Sequence, residues 1–465
     1  METSSKLSFF NKDKEFYKTL FGLLGFVALQ NVIAYTVNMA DNIMLGSYSQ
    51  DALSGAAVVN QIFFLIQQFA VSVGNTLVAL AAQYWGEKRL GPIRTLTGYA
   101  LKLSVVVGIC LILIGVIIPG PVCSIFTSDA AIIDQGVQYM QIVIFSFGIY
   151  VVTSTLYAAL RSVGVVKISF WTSIVTLVVN CGINYVLIFG KLGFPEMGIK
   201  GAAIGTLISR IIEFIIMIIY CKKDKILGMF TKELITPNKA LRKDFYKIYL
   251  PNLCATVVWG ISIPVQTAIL GHLSSAALAA NSVASTFYQY AKVITMAMSS
   301  VSGVMIGKAI GEGKRERVKQ AGRTLSLIDV ILGIVLAALL FFLRQPLLSL
   351  YTLDAEAYVL ADSLIQLQAL IMLGMAYQMP VSFGIIQGGG DAKFTMKMNL
   401  ICTWLIVMPF TIMGAYWWHV SIVVLVLIIQ SDQIFKCLPV WIKFKNYTWI
   451  KKLTRDKDDI AKGEA

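Results

Sequence analysis

Charge is what this sequence has least of. Only 14% of its 465 residues are Asp, Glu, Lys or Arg, where a soluble globular chain is nearer a quarter. That excludes a domain solvated over its whole surface. Histidine is almost missing: His272 and His419 lie in loops, no H-E-x-x-H occurs, and no span holds paired acids. An intramembrane hydrolase has nothing to work with. A phosphate-cradling G-x-x-x-x-G-K-[ST] loop is lacking too, since "SGVMIGKAIGEGK" has the wrong spacing, which argues against an ATP-driven pump. The seven cysteines are an odd number and only Cys123 falls in an outer loop, so no disulfide framework is expected.

What is present is hydrophobic length. The chain is 57% hydrophobic with a mean hydropathy of +0.74. Runs of about 20 mainly apolar residues, enough to span a bilayer, recur along it. Twelve spans are read, at roughly 17–45, 52–83, 95–118, 132–159, 168–190, 198–220, 245–270, 276–308, 320–343, 357–387, 394–416 and 419–441. The fold class is therefore an all-α membrane protein. Spans two and eight are the longest and are expected to extend into the cytoplasm. The polar start "METSSKLSFFNKDKEFYK" opens an uncleaved span rather than a signal peptide.

Basic residues set the orientation. Lys6, Lys12, Lys14 and Lys18 precede span one; Lys88, Arg89 and Arg94 follow span two. "CKKDKILGMFTKELITPNKALRKDFYK", "GKAIGEGKRERVK" and the tail "KFKNYTWIKKLTRDKDDIAKGEA" are rich in Lys and Arg, whereas "GSYSQD", "PGPVCSIFTSDAA", "GHLSSA" and "AYWWHV" have none. With Lys191, Lys200 and Arg344 outside and Arg210 and Lys292 within spans, 34 of the 39 basic residues lie on one side. Both termini are expected in the cytoplasm of a multi-pass protein of the cell membrane. The net charge of +14 then follows from topology and anionic lipid, with no nucleic acid partner.

The chain also repeats itself. A shift of 225 residues lays "IMLGSYSQDALSGAAV" on "AILGHLSSAALAANSV", Gly46 on Gly271, and Gly86-Glu87 on Gly311-Glu312; a shift of 226 lays Gly164 on Gly390 and Lys167 on Lys393. Two parallel six-helix units follow, related by an axis along the membrane normal, as such repeats are. The domains read are a cytoplasmic start (1–16), an N-terminal lobe (17–220), a charged linker (221–244), a C-terminal lobe (245–441) and a basic tail (442–465).

"DNIMLGSYSQDALSGAAVVN", "AAQYWGEKR", "LRSVGVVK", "IIQGGGDAK" and "NCGINYVLIFGKLGFPEMGIKGAAIGTLIS" together resemble, in order and spacing, the blocks of MATE transporters, the multidrug and toxic compound extrusion family. The resemblance covers about residues 15–440. It implies two pseudo-symmetric six-helix bundles around a central cleft, and export of amphipathic small molecules, often cations, by antiport with protons or sodium. No further cofactor is implied, and the chain is expected to function as a monomer. A lipid-linked saccharide flippase of the same superfamily is the alternative.

Asp41 is the residue that needs explaining, because an ionisable group inside a span is a functional candidate by default. Asn180 and Asn184 share a face of span five, and Tyr139, Thr206 and Asn60 lie at comparable depth on spans four, six and two. These six form the candidate ion-coupling set for a proton or sodium, with Asp41, Asn180 and Asn184 as the candidate ligands where the ion is sodium. In the resembled family, span five carries Asn and Asp; here Asn184 replaces the second acid. Asn38, one turn before Asp41, joins Lys292, Tyr288, Gln266, Met296 and Met379 as a candidate substrate cavity, with Met298, Met375, Tyr377 and Phe383 nearby in sequence. A cavity-facing Lys292 disfavours a simple cationic substrate. NorM-like members carry acids where this chain has Trp259 and Ala376, and Asp41 falls on Gln266, so the charge is asymmetric, as in the DinF-like branch. No second coupling acid is read in the C-terminal lobe; Asp362 and Asp391 are taken as structural. Arg210–Glu213 and Asp432–Lys436 read as local helical pairs, Pro264, Pro380 and Pro409 as kinks, and "QGGGDAK" as a flexible connector.

Overall fold

The computed structural model describes residues 9–224, 234, 236–271, 275–349 and 355–462. Among them are twelve helices long and apolar enough to cross a membrane, and no strand. In hydrocarbon each backbone N–H and C=O has to be satisfied within its own segment, which leaves helices as the outcome for such runs. They are α1 (Lys14–Tyr48), α2 (Gln50–Gly86), α3 (Leu90–Ile117), α4 (Ala130–Ser162), α5 (Lys167–Ile188), α6 (Ile199–Lys223), α7 (Lys239–Gly271), α8 (Ser275–Gly311), α9 (Arg315–Leu348), α10 (Ala355–Met379), α11 (Ala392–Tyr416) and α12 (Ile422–Lys445). At 37 residues each, α2 and α8 are about 55 Å long, well beyond a hydrocarbon core of about 30 Å.

The internal repeat is visible in where helices begin. Lys14, Gln50, Leu90, Ala130 and Lys167 open α1 to α5; Lys239, Ser275, Arg315, Ala355 and Ala392 open α7 to α11, each 225 residues later. Packing repeats with it. α4 lies against α3 and α6 and α5 against α6, while α10 lies against α9 and α12.

By internal contacts the chain forms two compact units. One comprises the chain up to Ala28, Val78–Lys88 and Lys247–Thr454; the other comprises Leu29–Leu77, Arg89–Tyr246 and the chain from Arg455 onward. The second unit is built on Leu45, Val59, Phe63, Ile66, Val143, Phe147 and Ile188, with Phe63 and Phe147 stacked at 4.5 Å. Glycine brings backbones close there: a side chain at Gly55 would strike the backbone of Gln135 and Gly136, the small-residue packing usual between membrane helices.

In the first unit two helices pass into π-helical turns beside a proline, which lacks a backbone donor. Pro380 opens a π-helical turn to Ile386 that continues α10, and α11 contains another, Leu400–Val407, just before Pro409. Pro264 lies inside α7 along with Pro251.

The glycine run after that turn corrects the sequence reading. "QGGGDAK" is a packed joint, not a flexible connector. A side chain at Gly388 would meet the Gly303 backbone, and one at Gly389 would strike the indole of Trp449. Trp449 is itself fully buried. The Lys451 amide donates to the Gly389 carbonyl at 2.9 Å. Asp391 takes Lys443 at 2.7 Å and Lys451 at 2.9 Å. The glycines are there for close approach, and Gly390 for a φ of +103°.

The basic tail follows the same pattern. Gln83 brackets it, donating to the Lys451 carbonyl at 3.1 Å and accepting from the Leu453 amide at 2.8 Å. Farther on, within the second unit, Asn238 donates to the Ile460 carbonyl at 2.9 Å. Much of the expected linker, 225–233 and 235, lies outside the described residues, as do His272 and Ser274 of the "GHLSSA" loop.

Candidate functional site

The carboxylate of Asp41 lies seven residues before the end of α1, in the second unit. Asn184 Nδ2 donates to its Oδ1 at 2.6 Å. The same nitrogen reaches Asn180 Oδ1 at 3.4 Å, and Asn180 Nδ2 reaches Thr206 Oγ1 at 3.4 Å. Tyr139 on α4 interacts with Thr206 and feels the Asp41 charge. Four helices therefore converge on one carboxylate. Asn180 and Asn184 are fully buried and Tyr139 nearly so, while Asp41 and Thr206 are half-buried.

The fit between α5 and α6 depends on an absent side chain. A Cβ at Gly205 would collide with Asn184 Oδ1. That oxygen is buried and has no hydrogen-bond partner among the described residues. Asn184 thus turns its donors to Asp41 and Asn180 and packs its acceptor against α6. Such a set solvates a carboxylate well. A cation is served less well, because it needs oxygens turned inward from several ligands.

Beyond it stands a charged pair seen in the sequence only as local. Arg210 meets Glu213 Oε2 at 2.5 Å, the Tyr157 hydroxyl donates to Glu213 Oε1 at 2.8 Å, and the guanidinium lies 5.2 Å from the Tyr150 ring centre. The Arg210 charge also acts on Asp41, so this pair belongs to the carboxylate's surroundings. The spacing i, i+3 revealed the pair; nothing in the sequence revealed that it faces α1.

Asn60 is half-buried and Asn38 exposed, and among the described residues no hydrogen bond joins either to this group. The remaining cavity candidates fall in the first unit. Lys292 is half-buried with Nζ 4.7 Å from the Trp259 ring centre. Tyr288, one turn earlier, points its hydroxyl at Met375 Sδ, 2.8 Å away. The Asp432 charge acts on both. Asp432 itself pairs with Lys436 at 2.6 Å, and the buried network continues through Asn399, Gln433 and Gln378. Met379 Sδ lies 3.9 Å from the Thr295 hydroxyl. Met296 and Gln266 are half-buried.

Asp391, outside the spans, is held below the usual carboxylate range: burial pushes it up, and the bonds from Lys443 and Lys451 more than reverse that. Asp362 pairs with Arg344 at 3.0 Å. One acid of this unit was passed over in the sequence. Asp329, in the apolar run "LSLIDVILGIVLAALL", is fully buried on α9. A mid-span acid was the available signal, the same one that marks Asp41.

The MatE family model matches residues 27–186 and again 252–413, one copy per repeat. The chain is 23% identical to a "Probable multidrug resistance protein NorM" of Halalkalibacterium halodurans, over 85% of this chain and 88% of that one. It is 24% identical to a "Probable multidrug resistance protein YoeA" of Bacillus subtilis, over 82% and 83%. Among solved structures, the eukaryotic MATE transporter AtDTX14 superposes with a TM-score of 0.83 at 17% identity, covering 97% of this chain and 98% of that one. An outward-facing multidrug resistance MATE family transporter of the MOP superfamily gives 0.83 at 15% identity, covering 94% and 98%.

Proposed function

Because the chain belongs to the MATE family of transporters, we propose that it exports amphipathic small molecules across the cell membrane in exchange for protons, with Asp41 as the coupling carboxylate. Relatives named for multidrug resistance support the substrate class. The observation that carries the coupling site is the 2.6 Å bond from Asn184 to Asp41 inside a converging set of buried polar side chains.

Protonation removes the charge at Asp41. The charge-assisted bond from Asn184 becomes an ordinary one, weaker by about half, and Arg210 is left with Glu213 as its anion. The outer part of α1 is then held less firmly and rearranges, and substrate is released. Loss of the proton on the other side restores the grip. The proton is favoured over sodium because Asn184 offers Asp41 its N–H groups and not its oxygen. The transporter works as a monomer of two six-helix lobes divided at the 221–244 linker, with both termini in the cytoplasm and no nucleic acid partner.

The test is ethidium efflux from proteoliposomes under proton and sodium gradients imposed separately. Wild-type protein should respond to the proton gradient and Asp41→Asn to neither. Efflux driven by sodium alone would overturn the proton reading.

A further inference from the structure

Asp329 has no role in the exchange just described. It is fully buried, and neither carboxyl oxygen has a hydrogen-bond partner among the described residues. The other buried acids among the described residues are paired: Asp432 with Lys436, Glu213 with Arg210, Asp391 with two lysines.

The helices against α9 offer it no counter-charge. α8, α10 and the π turn Pro380–Ile386 pack on α9. On α8, Lys292 lies over Trp259 and Tyr288 faces Met375. On α10, Asp362 pairs with Arg344. The π turn carries no titratable side chain. On α9 itself Arg323 donates to Tyr447. Among the described residues burial alone acts on Asp329, and none is a charged partner to it. The titratable neighbour is Tyr377 of α10, which also faces Ser326 and, on α12, Cys437.

The first copy of the repeat shows what this position holds when it is merely structural. Counting back 225 residues, Asp329 falls on Ser104 and Pro380 on Thr155. Ser104 and Thr155 satisfy one another at 2.7 Å, both buried. In the second copy the serine has become an acid and its hydroxyl partner a proline. An ionised carboxylate without donors or a cation is strongly disfavoured in such a place and takes up a proton instead.

We infer that Asp329 is a second proton-binding site, occupied in this conformation and exchanged during transport. The proton is held as the carboxyl O–H. It is taken up as H⁺ from water on the outer side and released as H⁺ to water on the inner side, the α9–α10 packing opening toward each in turn. This site is independent of Asp41 and does not need the Asp41 reading to hold.

Infrared spectroscopy of the purified full-length protein tests occupancy without transport. Asp41→Asn at neutral pH should show the carbonyl stretch of a protonated carboxylic acid, and adding Asp329→Asn should remove it. Asp329→Ser, which copies the first repeat, should remove it as well and serves if the asparagine variant does not fold. No such band in Asp41→Asn alone, or a band that survives replacement of Asp329, overturns the inference. In proteoliposomes, Asp329→Asn with Asp41 intact should keep ethidium efflux while protons exchanged per substrate fall by one. An unchanged ratio overturns the exchange. The Asp41 reading is judged separately, by whether Asp41→Asn alone loses gradient-driven efflux.

Discussion

Asn184 gives Asp41 a hydrogen bond of 2.6 Å while its own carbonyl oxygen lies against the backbone of α6 at Gly205. One amide thus ties α1 to α5, and its seat is set by a third helix. Removing it should be felt at the carboxylate before it is felt in the fold. Asn184→Ala strips the donor and should destabilise by about 1–3 kcal/mol while abolishing most proton-driven ethidium efflux in proteoliposomes. Unimpaired efflux would show that Asp41 works without it.

Gly205→Ala is a sharper probe, because it changes no polar group. The added methyl must displace the Asn184 carbonyl, so the Asn184–Asp41 bond has to lengthen or turn. Overpacking of this kind costs about 1–3 kcal/mol. Efflux should fall with a shifted pH profile while a fluorescence-detected elution profile stays monodisperse. A variant with wild-type efflux and pH profile would place Asn184 outside the coupling group.

Adding an acid goes the other way. Asn184→Asp supplies oxygens where the chain now supplies donors, and should introduce sodium dependence. Transport assays with sodium replaced by choline measure it, and indifference to sodium would mean that two acids at this spot are not enough.

Asp391 predicts a stability effect with a definite sign. Its carboxyl is held below its ordinary range by Lys443 and Lys451. A group depressed on folding stabilises above its unfolded value, and that contribution is lost as pH falls through the folded one. Asp391→Asn should therefore lower Tm at neutral pH, with the difference from wild type shrinking in acid. Proton dependence of efflux should be unchanged. A difference that grows in acid would contradict the assignment.

Gly389→Ala should separate packing from flexibility. If the glycine run served to bend, alanine would mainly slow transport. Since a side chain there meets Trp449, the expected result is a lower Tm, recovered in part by a smaller residue at 449. Unchanged Tm in Gly389→Ala would restore the flexible reading.

The spans were legible because hydropathy acts locally: twenty apolar residues make a helix whatever lies beside them. The repeat was legible because both copies kept the register of Gly46 with Gly271 and Gly86 with Gly311. Asp41 and the two asparagines could be picked out because polar residues at similar depth on separate helices are few. What could not be read is how faces meet. Arg210 was seen to pair with Glu213 but not to look toward α1. Asn60 and Asn38 lie at similar depth, yet no hydrogen bond among the described residues joins either to Asp41 and its partners. Glycines in "QGGGDAK" look alike whether they bend or admit a neighbour, and the neighbour, Trp449, is some sixty residues away in the chain. Asp329 carries the same mid-span signal as Asp41, but no polar residues on neighbouring helices mark it out in the sequence.

Where the offset of 225 holds, each lobe is a natural variant of the other. Position by position, evolution has already made the substitution that an experimenter would choose: Gln266 where the first copy has Asp41, Ser104 where the second has Asp329. The acids do not fall on equivalent positions. The two copies thus carry unmatched acids, and chimeras that exchange only these pairs would show what each acid contributes to transport.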